Sequence, residues 1–205
     1  MNLKNHWDSV YLDSPDNQLG WYETDLSPML KLLLKTDINK SSRILNVGAG
    51  STTLVDELLK KGYSNIIASD ISEIALRKLE TRVGNDSVEF IVDDLMNPTQ
   101  LKTIEQVDIW IDRAVLHFFT KEVEQKMYFD LLKSLVTVNG FVVLAEFNLN
   151  GAERCSGLPV HRYSQEMLDE KLGIGFELID CFNHTYLTPS GAERPYIYTL
   201  YKRIN

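Results

Sequence analysis

The amino-acid sequence predicts a doubly wound α/β fold with a mostly parallel, seven-stranded sheet and an antiparallel last strand. From residue 43 onward, short β-branched runs alternate with segments of helical periodicity. Runs such as NIIAS and FVVL are largely apolar, as strands covered by helices on both faces require. The last two runs are joined by a turn-rich connector that is too short for a crossover helix. We therefore expect them to be antiparallel neighbours at the sheet edge.

Each element has a local signal in the sequence. The first strand is expected at 43–47, where an apolar run ends at two glycines, and the next elements alternate in the same way. The other strands are predicted at 65–69, 88–92, 107–111, 140–147, 176–182 and 196–202. The core helices are predicted at 51–61, 72–82, 121–135 and 164–171. Two further helices, at 3–12 and 26–36, flank the polar turn DSPDNQLG. Residues 1–40 thus form a helical lid on a core at 41–205, within one domain.

The composition limits the classes of function. With 205 residues, 44% of them hydrophobic and 24% charged, the chain fits one globular domain with a sizeable core. Its net charge of 21 − 29 = −8, without a basic run, argues against a nucleic-acid partner. No signal-peptide pattern and no membrane-length apolar run is found, so we expect no membrane association. Cys155 and Cys181 suit neither a disulfide framework nor a metal site, and we expect a cytoplasmic protein without a metal.

The stretch ILNVGAGSTTLVDELL places a glycine turn directly between a strand and a helix. Gly48 and Gly50 let the backbone turn sharply and approach a ligand closely. Thr53 occupies the third small position of the dinucleotide fingerprint, so the close-packing glycine is missing. Asp70 ends the second strand, 70 − 48 = 22 residues beyond Gly48, where a carboxylate can accept hydrogen bonds from ribose hydroxyls. The alternative is that Asp70 is the N-cap of the helix near Ser72.

Three further acids follow the next strands. VEFIVDDL puts Asp93 and Asp94 after the third strand, and DIWIDRA puts Asp112 after the fourth. We expect Asp94, directly before Leu95, to contact an adenine amino group and Asp93 to be a solvent-facing neighbour. Carboxylates around a site suit a cationic ligand and repel a diphosphate. The pattern therefore favours a sulfonium cofactor with a ribose, an adenine and an ammonium group over a dinucleotide.

In this order and spacing, the motifs resemble those of class I S-adenosylmethionine-dependent methyltransferases. ILNVGAGSTTLV resembles the first motif, NIIASDIS the acidic loop, FIVDDL the adenine-side motif, and the final strand pair the reversed strand of this Rossmann-like fold. HWDSVY, LGWYE, IDRAVLHFF and GAERCSGLPVHRYS resemble a bacterial branch of methyltransferase-domain proteins. The WDxxY opening is similar to that of protein-lysine and thiopurine-type methyltransferases. The resemblance covers essentially the whole chain.

The resemblance implies a site for S-adenosylmethionine, with S-adenosylhomocysteine as product. The chain departs from the family at Asn46, where an acid usually orients the amino group of the cofactor, and at Thr52, a glycine position. Tyr22 and other N-terminal aromatic residues are expected to form the lid, or else only to pack the extra helices onto the sheet. The cofactor-binding residues implied are Asn46, Gly48, Gly50, Asp70, Ile71, Asp94, Leu95, Asp112, Trp7, Tyr11 and Trp21.

Methyl transfer needs alignment and exclusion of water more than an acid–base pair. If a base exists, Asp112 and His117 are the candidates, because loops after the fourth strand face the ligand crevice. A packed, structural His117 is the alternative. Three basic residues, Arg113, Arg154 and His161, are candidate substrate contacts, although Arg113 could instead pair with a nearby carboxylate.

The sequence leaves the acceptor open between a small molecule, which we favour, and a protein lysine. Two other classes of function compete with methyl transfer. Gly48, Gly50 and Asp70 alone would suit an NAD(P)-dependent oxidoreductase, but Thr53 and the acid-lined site argue against it. Asn46 would suit a cofactor-binding module without turnover.

Overall fold

The computed structural model describes residues 2–84 and 86–205, which form nine strands, six α-helices and three short 3₁₀ helices. The strands are β1 (Ile44–Val47), β2 (Ile66–Asp70), β3 (Val88–Val92), β4 (Val107–Arg113), β5 (Val136–Phe147), β6 (Arg154–Cys155), β7 (Leu158–Pro159), β8 (Phe176–Leu187) and β9 (Glu193–Arg203). The helices are α1 (Leu3–Asp13), α2 (Ser27–Leu33), α3 (Leu54–Lys60), α4 (Glu73–Val83), α5 (Glu122–Leu135) and α6 (Gln165–Leu172).

The main sheet has seven strands in the order β3-β2-β1-β4-β5-β9-β8. The first five strands of the chain are mutually parallel. Strand β9 runs antiparallel to both of its neighbours, β5 and β8. The strand order reverses at β1, where a doubly wound sheet opens a crevice at its carboxyl edge. The predicted fold class is confirmed.

The register of β1 decides which side chains face the crevice together. Asn46 pairs with Ile111 of β4, and Val47 pairs with Asp112. Because side chains alternate along a strand, Asn46 and Ile111 lie on one face of the sheet, and Val47 and Asp112 on the other. Helices α2, α3 and α4 pack on the face of Ile111, whereas α5 and α6 pack on the face of Val47.

Some predicted boundaries differ from the structure. Helix α3 begins at Leu54 rather than 51, because the backbone still turns through the glycine loop before it. Strands β8 and β9 are longer than predicted, since pairing continues to Leu187 and Glu193 and leaves a turn at 188–192. The proline and small residues of the connector concealed strand residues such as Thr185 and Tyr186. Helix α2 is also shorter than the predicted 26–36.

The N-terminal segment is attached to the core by polar contacts with α4. Asp8 accepts a hydrogen bond from the Ser72 hydroxyl at 2.7 Å, and Lys78 lies 3.0 Å from Asp16. These contacts hold α1 beside the carboxyl edge of β2. Within the described ranges, no helix is both long and apolar enough to cross a membrane.

Candidate functional site

A cavity opens at the carboxyl ends of β1, β2 and β4, beneath the N-terminal segment. Most of the predicted cofactor-binding residues line it: Asn46, Gly48, Asp70, Ile71, Asp94, Leu95, Trp7, Tyr11 and Trp21. Arg113 lines it as well. The residues that sequence reasoning missed are Leu3, Glu23, Leu26, Met29, Thr52, Thr53, Leu54, Ser69, Asp93, Ala114, Val115, Phe118, Phe119 and Cys155.

The glycine loop between β1 and α3 uses a backbone conformation that side chains disfavour. Gly48 has φ +57° and Gly50 has φ +55°. A Cβ atom at Gly48 would collide with the Val115 side chain, and one at Gly50 with the Tyr11 hydroxyl. The two glycines therefore allow the segment after β4 and helix α1 to approach the loop closely. Gly50 does not line the cavity, and its direct contact with the cofactor stays a prediction.

Asp70 is held at the end of β2 by backbone donors. Its two carboxylate oxygens accept hydrogen bonds from the Gly50 and Ser72 N–H groups, each at 2.8 Å. Burial raises the pKa of Asp70 to about 6, although these donors and the Ile71 N–H act in the opposite direction. The N-cap of α4 is Ser72, whose hydroxyl accepts from the Ala75 N–H. The interpretation of Asp70 as that cap is therefore wrong.

The two adjacent acids after β3, Asp93 and Asp94, have different roles. Asp93 is buried and accepts hydrogen bonds from the backbone N–H groups of 99–101. Burial raises its pKa, but these donors outweigh burial, so the pKa lies below its ordinary value. The expectation that Asp93 faces solvent is wrong, because it anchors the loop after β3. Asp94 is half-buried and lines the cavity next to Leu95.

Asp112 lies outside the cavity, which corrects its assignment as a catalytic and cofactor-binding residue. Its carboxylate accepts hydrogen bonds from the Val115 and Leu116 N–H groups and, at 2.6 Å, from the Tyr128 hydroxyl. The side chain is completely buried on the α5 face of the sheet. The alternation along β4 that brings Arg113 to the crevice therefore turns Asp112 away from it.

His117 is also placed beneath the cavity rather than in its wall, as the packed alternative expects. Its ring stacks on Phe147 with centroids 4.6 Å apart, and its Nδ1 lies 2.8 Å from Glu146 Oε2. Burial lowers the pKa of His117 to about 3, so the imidazole is neutral at physiological pH. His117 is fully buried and does not line the cavity.

A buried acid pair lies behind the site, and it predicts a pH-dependent stability. Burial raises the pKa of Glu146 from 4.5 to about 8, and burial together with Glu146 raises that of Asp112. The folded state then holds a proton that the unfolded chain releases, so stability from this pair is lost as pH rises towards 8. His117 opposes this trend only below its unfolded pKa of 6.5, where the unfolded chain binds the extra proton.

We therefore expect the free energy of unfolding to fall by on the order of 1–2 kcal/mol between pH 6.5 and 8. The variant Glu146→Gln should flatten this dependence, whereas Glu170→Gln on the exposed face of α6 should leave it unchanged. Urea unfolding at several pH values measures the slope. A wild-type stability that rises over this pH range would contradict the assignment of a shared proton.

Arg113 ends β4 at the cavity wall, where it pairs with a residue from the N-terminal segment. Its Nε lies 3.0 Å from Glu23 Oε2, and its Nη1 donates to the Trp21 carbonyl at 3.0 Å. Its guanidinium carbon lies about 5 Å from the ring centroids of Tyr186 and Tyr196. The expected alternative, a carboxylate partner for Arg113, is confirmed. Glu23 is the last residue of the LGWYE motif, but its pairing with Arg113, 90 residues further along the chain (113 − 23), had no local signal in the sequence.

The N-terminal aromatic side chains both line the cavity and pack on one another. The Trp7 and Trp21 rings meet edge to face at 5.5 Å, and Tyr11 meets Trp21 at 5.9 Å. Phe118, from the turn after β4, packs on Trp7 at 5.1 Å. Both alternatives for these residues therefore have a structural basis.

The residues predicted after β5 are largely outside the cavity. Arg154 is exposed and donates to the Gly157 carbonyl within its own hairpin. His161 is half-buried against Tyr163, with ring centroids 4.7 Å apart. Neither lines the cavity, and their assignment as substrate contacts stays a prediction. Cys155 does line it, and burial raises the pKa of its thiol to about 11.

Among residues 2–84 and 86–205, no group of three or more histidines, cysteines and acids is arranged as a metal site. The cavity is instead lined by carboxylates, an amide and aromatic rings. Its Asn46 amide has no hydrogen-bond partner among the described residues, and together with the buried Asp70 carboxylate and the glycine loop it fits an adenosyl cofactor that carries hydroxyl and ammonium donors.

Comparisons with known proteins also support a protein that binds an adenosyl cofactor. Residues 44–140, from β1 into β5, match the family described as "Methyltransferase domain". EEF1A lysine methyltransferase 2 of Danio rerio is 25% identical over 197 residues, covering 87% of this chain and 77% of the relative. A SAM-dependent methyltransferase from Anabaena variabilis has a TM-score of 0.79 at 14% identity, covering 98% of this chain and 93% of that chain.

A second solved structure is that of the 1,6-didemethyltoxoflavin-N1-methyltransferase of Burkholderia thailandensis with bound S-adenosylhomocysteine. Its TM-score is 0.74 at 20% identity, and the match covers 99% of this chain and 88% of that chain. Likeness at this identity shows the fold. The matched domain at residues 44–140 and the carboxylate-lined cavity support an S-adenosylmethionine-dependent methyltransferase.

Proposed function

We propose that the protein transfers a methyl group from S-adenosylmethionine to a lysine side chain of another protein. The similarity to EEF1A lysine methyltransferase 2 carries this proposal, because it extends over most of both chains. The same name is carried by the mouse and human relatives, at 22% and 23% identity. This evidence favours a protein lysine over the small molecule that we favoured from the sequence.

In this proposal, the acids of the cavity hold the adenosine part of the cofactor. Asp70 accepts hydrogen bonds from the ribose hydroxyls, and Asp94 accepts one from the adenine amino group beside Leu95. The hydrogen bonds that Asp70 accepts support this role, because the backbone donors fix its carboxylate at the edge of the crevice. A fixed acceptor loses little conformational entropy when a ligand binds.

S-adenosylmethionine supplies an activated methyl group on a sulfonium, so the protein mainly aligns the acceptor and excludes water. Alignment alone can contribute roughly 7–11 kcal/mol to lowering the barrier. The Trp7, Trp21 and Phe118 rings provide an apolar wall for this purpose. Such a wall also disfavours a charged ammonium and so favours the neutral, nucleophilic amine of lysine.

The charge of the chain is compatible with this kind of acceptor. A net charge of −8 attracts a lysine-rich surface and accelerates encounter at low salt. A small-molecule acceptor remains the second candidate, because the solved structure from Burkholderia thailandensis holds 1,6-didemethyltoxoflavin in the same fold.

Methyl transfer to two acceptor panels tests the proposal. Purified protein and isotope-labelled S-adenosylmethionine are incubated with elongation factor 1A and, separately, with small heterocyclic amines and thiols. We expect label on a lysine of the protein acceptor, located by peptide mass spectrometry and lost when that lysine is replaced by arginine. Label on small molecules alone would refute the lysine proposal. Binding of S-adenosylhomocysteine without transfer to either panel would favour a module without turnover.

A further inference from the structure

Asn46 leaves the cavity floor without a negative charge at the point where β1 ends. Its side chain is almost completely buried and lines the cavity, yet it makes no hydrogen bond among the described residues. Its amide is therefore available to a ligand, but an amide attracts an ammonium group less strongly than a carboxylate does. A cofactor with an amino-acid end needs its ammonium group balanced elsewhere.

A buried carboxylate lies on the same side of the sheet as Asn46. Asn46 pairs with Ile111, and Arg113 follows two residues later, so Asn46 and Arg113 share one sheet face. Arg113 forms a 3.0 Å ion pair with Glu23, which therefore lies close to it. Glu23 is only 4% exposed and lines the same cavity as Asn46.

Two contacts fix Glu23 beside the glycine loop. The Thr53 hydroxyl, directly after that loop, donates to the Glu23 carbonyl at 2.7 Å. The Tyr198 hydroxyl from β9 approaches Glu23 Oε1 at 3.4 Å. The carboxylate is thus placed at the cavity wall by the ion pair, the loop and β9 together.

The guanidinium of Arg113 has a nitrogen that makes no hydrogen bond among the described residues. Its Nη2 is buried and has no partner among residues 2–84 and 86–205. A buried donor without a partner is unfavourable, and an anionic ligand at the cavity wall would satisfy it. The pair therefore offers one negative and one positive group side by side, which complements a zwitterionic α-amino acid.

We propose that the Glu23–Arg113 pair binds the amino-acid end of S-adenosylmethionine, with Glu23 supplying the carboxylate that Asn46 lacks. Glu23 accepts a hydrogen bond from the α-ammonium group, and Arg113 donates to the α-carboxylate. The cofactor site is then completed by the N-terminal segment rather than by the core alone. This inference rests on the cofactor of the proposed function but not on its acceptor.

Binding of four ligands by calorimetry tests the inference on the wild-type protein. The ligands are S-adenosylhomocysteine, its deaminated analogue, its decarboxylated analogue and 5′-methylthioadenosine, which lacks both groups. We expect each deletion to weaken binding roughly ten- to a hundredfold, the usual effect of losing a charged hydrogen bond. Equal affinity for S-adenosylhomocysteine and the deaminated analogue would overturn the role of Glu23.

The variant Glu23→Gln identifies the residue responsible. It should weaken the binding of S-adenosylhomocysteine roughly ten- to a hundredfold and leave the affinity for the deaminated analogue unchanged. The two ligands should then bind with similar affinity. The control Asp94→Ala should weaken both ligands by the same factor, because both carry adenine. Equal weakening of both ligands in Glu23→Gln would show a general disturbance of the cavity and overturn the proposal.

Two further results separate this inference from the proposed function. Unchanged S-adenosylhomocysteine binding in Glu23→Gln, with a raised KM for the protein acceptor, would assign Glu23 to the acceptor and overturn the proposal. Failure of the wild-type protein to bind all four ligands would refute the cofactor assignment and the inference together. If the four ligands bind with the expected affinities but no methyl group is transferred to lysine, only the proposed acceptor is refuted.

Discussion

Replacement of Arg113 by methionine is expected to lower the free energy of unfolding by about 3–5 kcal/mol, because it leaves a buried carboxylate without its partner. Glu23 is 4% exposed, and the Arg113 side chain is 10% exposed, so water cannot replace the lost ion pair. Burial raises the pKa of Glu23 and Arg113 opposes this effect, so removal of the guanidinium raises the pKa of Glu23 further. Urea unfolding measures the change.

A double variant and a surface variant are the controls for this prediction. Glu23→Gln combined with Arg113→Met removes both charges and should cost less than the two single variants added together. Lys126→Met disrupts an exposed ion pair with Asp130 and should change stability by at most about 1 kcal/mol. A loss below 1 kcal/mol for Arg113→Met would show that the pair is not energetically coupled.

The variant Asp70→Asn is expected to weaken S-adenosylhomocysteine binding by roughly ten- to a hundredfold, or about 1.5–3 kcal/mol. It keeps the size of the side chain but removes the charge that we propose accepts the ribose hydroxyls. Wild-type affinity should also rise as pH increases through about 6, where Asp70 ionises, and this dependence should vanish in Asp70→Asn. Calorimetric titration at pH 5 to 8 measures both effects.

Ser72→Ala is the matched control for Asp70. It removes the N-cap hydroxyl of α4 and its hydrogen bond to Asp8 of α1, so it should lower stability by about 1 kcal/mol and weaken affinity much less than Asp70→Asn does. Loss of ligand affinity in Ser72→Ala equal to that in Asp70→Asn would show that both act only by holding the loop. Unchanged affinity in Asp70→Asn would refute the ribose contact.

The sequence was sufficient to predict the sheet because its strands are locally marked. Apolar runs such as Ile66–Asp70 are bounded by turns and helices, and the rule for short connectors assigns the reversed direction of β9. The full length of the β8–β9 hairpin was not predictable from local pattern. Its outer pairs, such as Leu187 with Glu193, are formed by cross-strand contacts that the turn-rich composition hides.

The candidate site was predicted where it depends on strand ends and missed where it depends on register or distant contacts. Asp70 ends β2 and Asp94 comes shortly after β3, so the sequence was sufficient to predict their position. Asp112 was expected just after a strand, but it lies within β4, where alternation turns it to the opposite face, behind the cavity. Glu23 is held at the site by Arg113, Thr53 and Tyr198, which are distant in sequence, so no local pattern could reveal these contacts.

A thermal-shift titration with S-adenosylhomocysteine and, in parallel, NAD tests the central claim most directly. At about a hundred times its dissociation constant, a ligand stabilises the native state by about 2.7 kcal/mol. For a chain of this length we expect a rise in Tm of roughly 5–10 °C with S-adenosylhomocysteine and none with NAD. A rise with NAD alone would contradict the assignment of the cavity to an adenosyl-sulfur cofactor and, with it, the methyltransferase function.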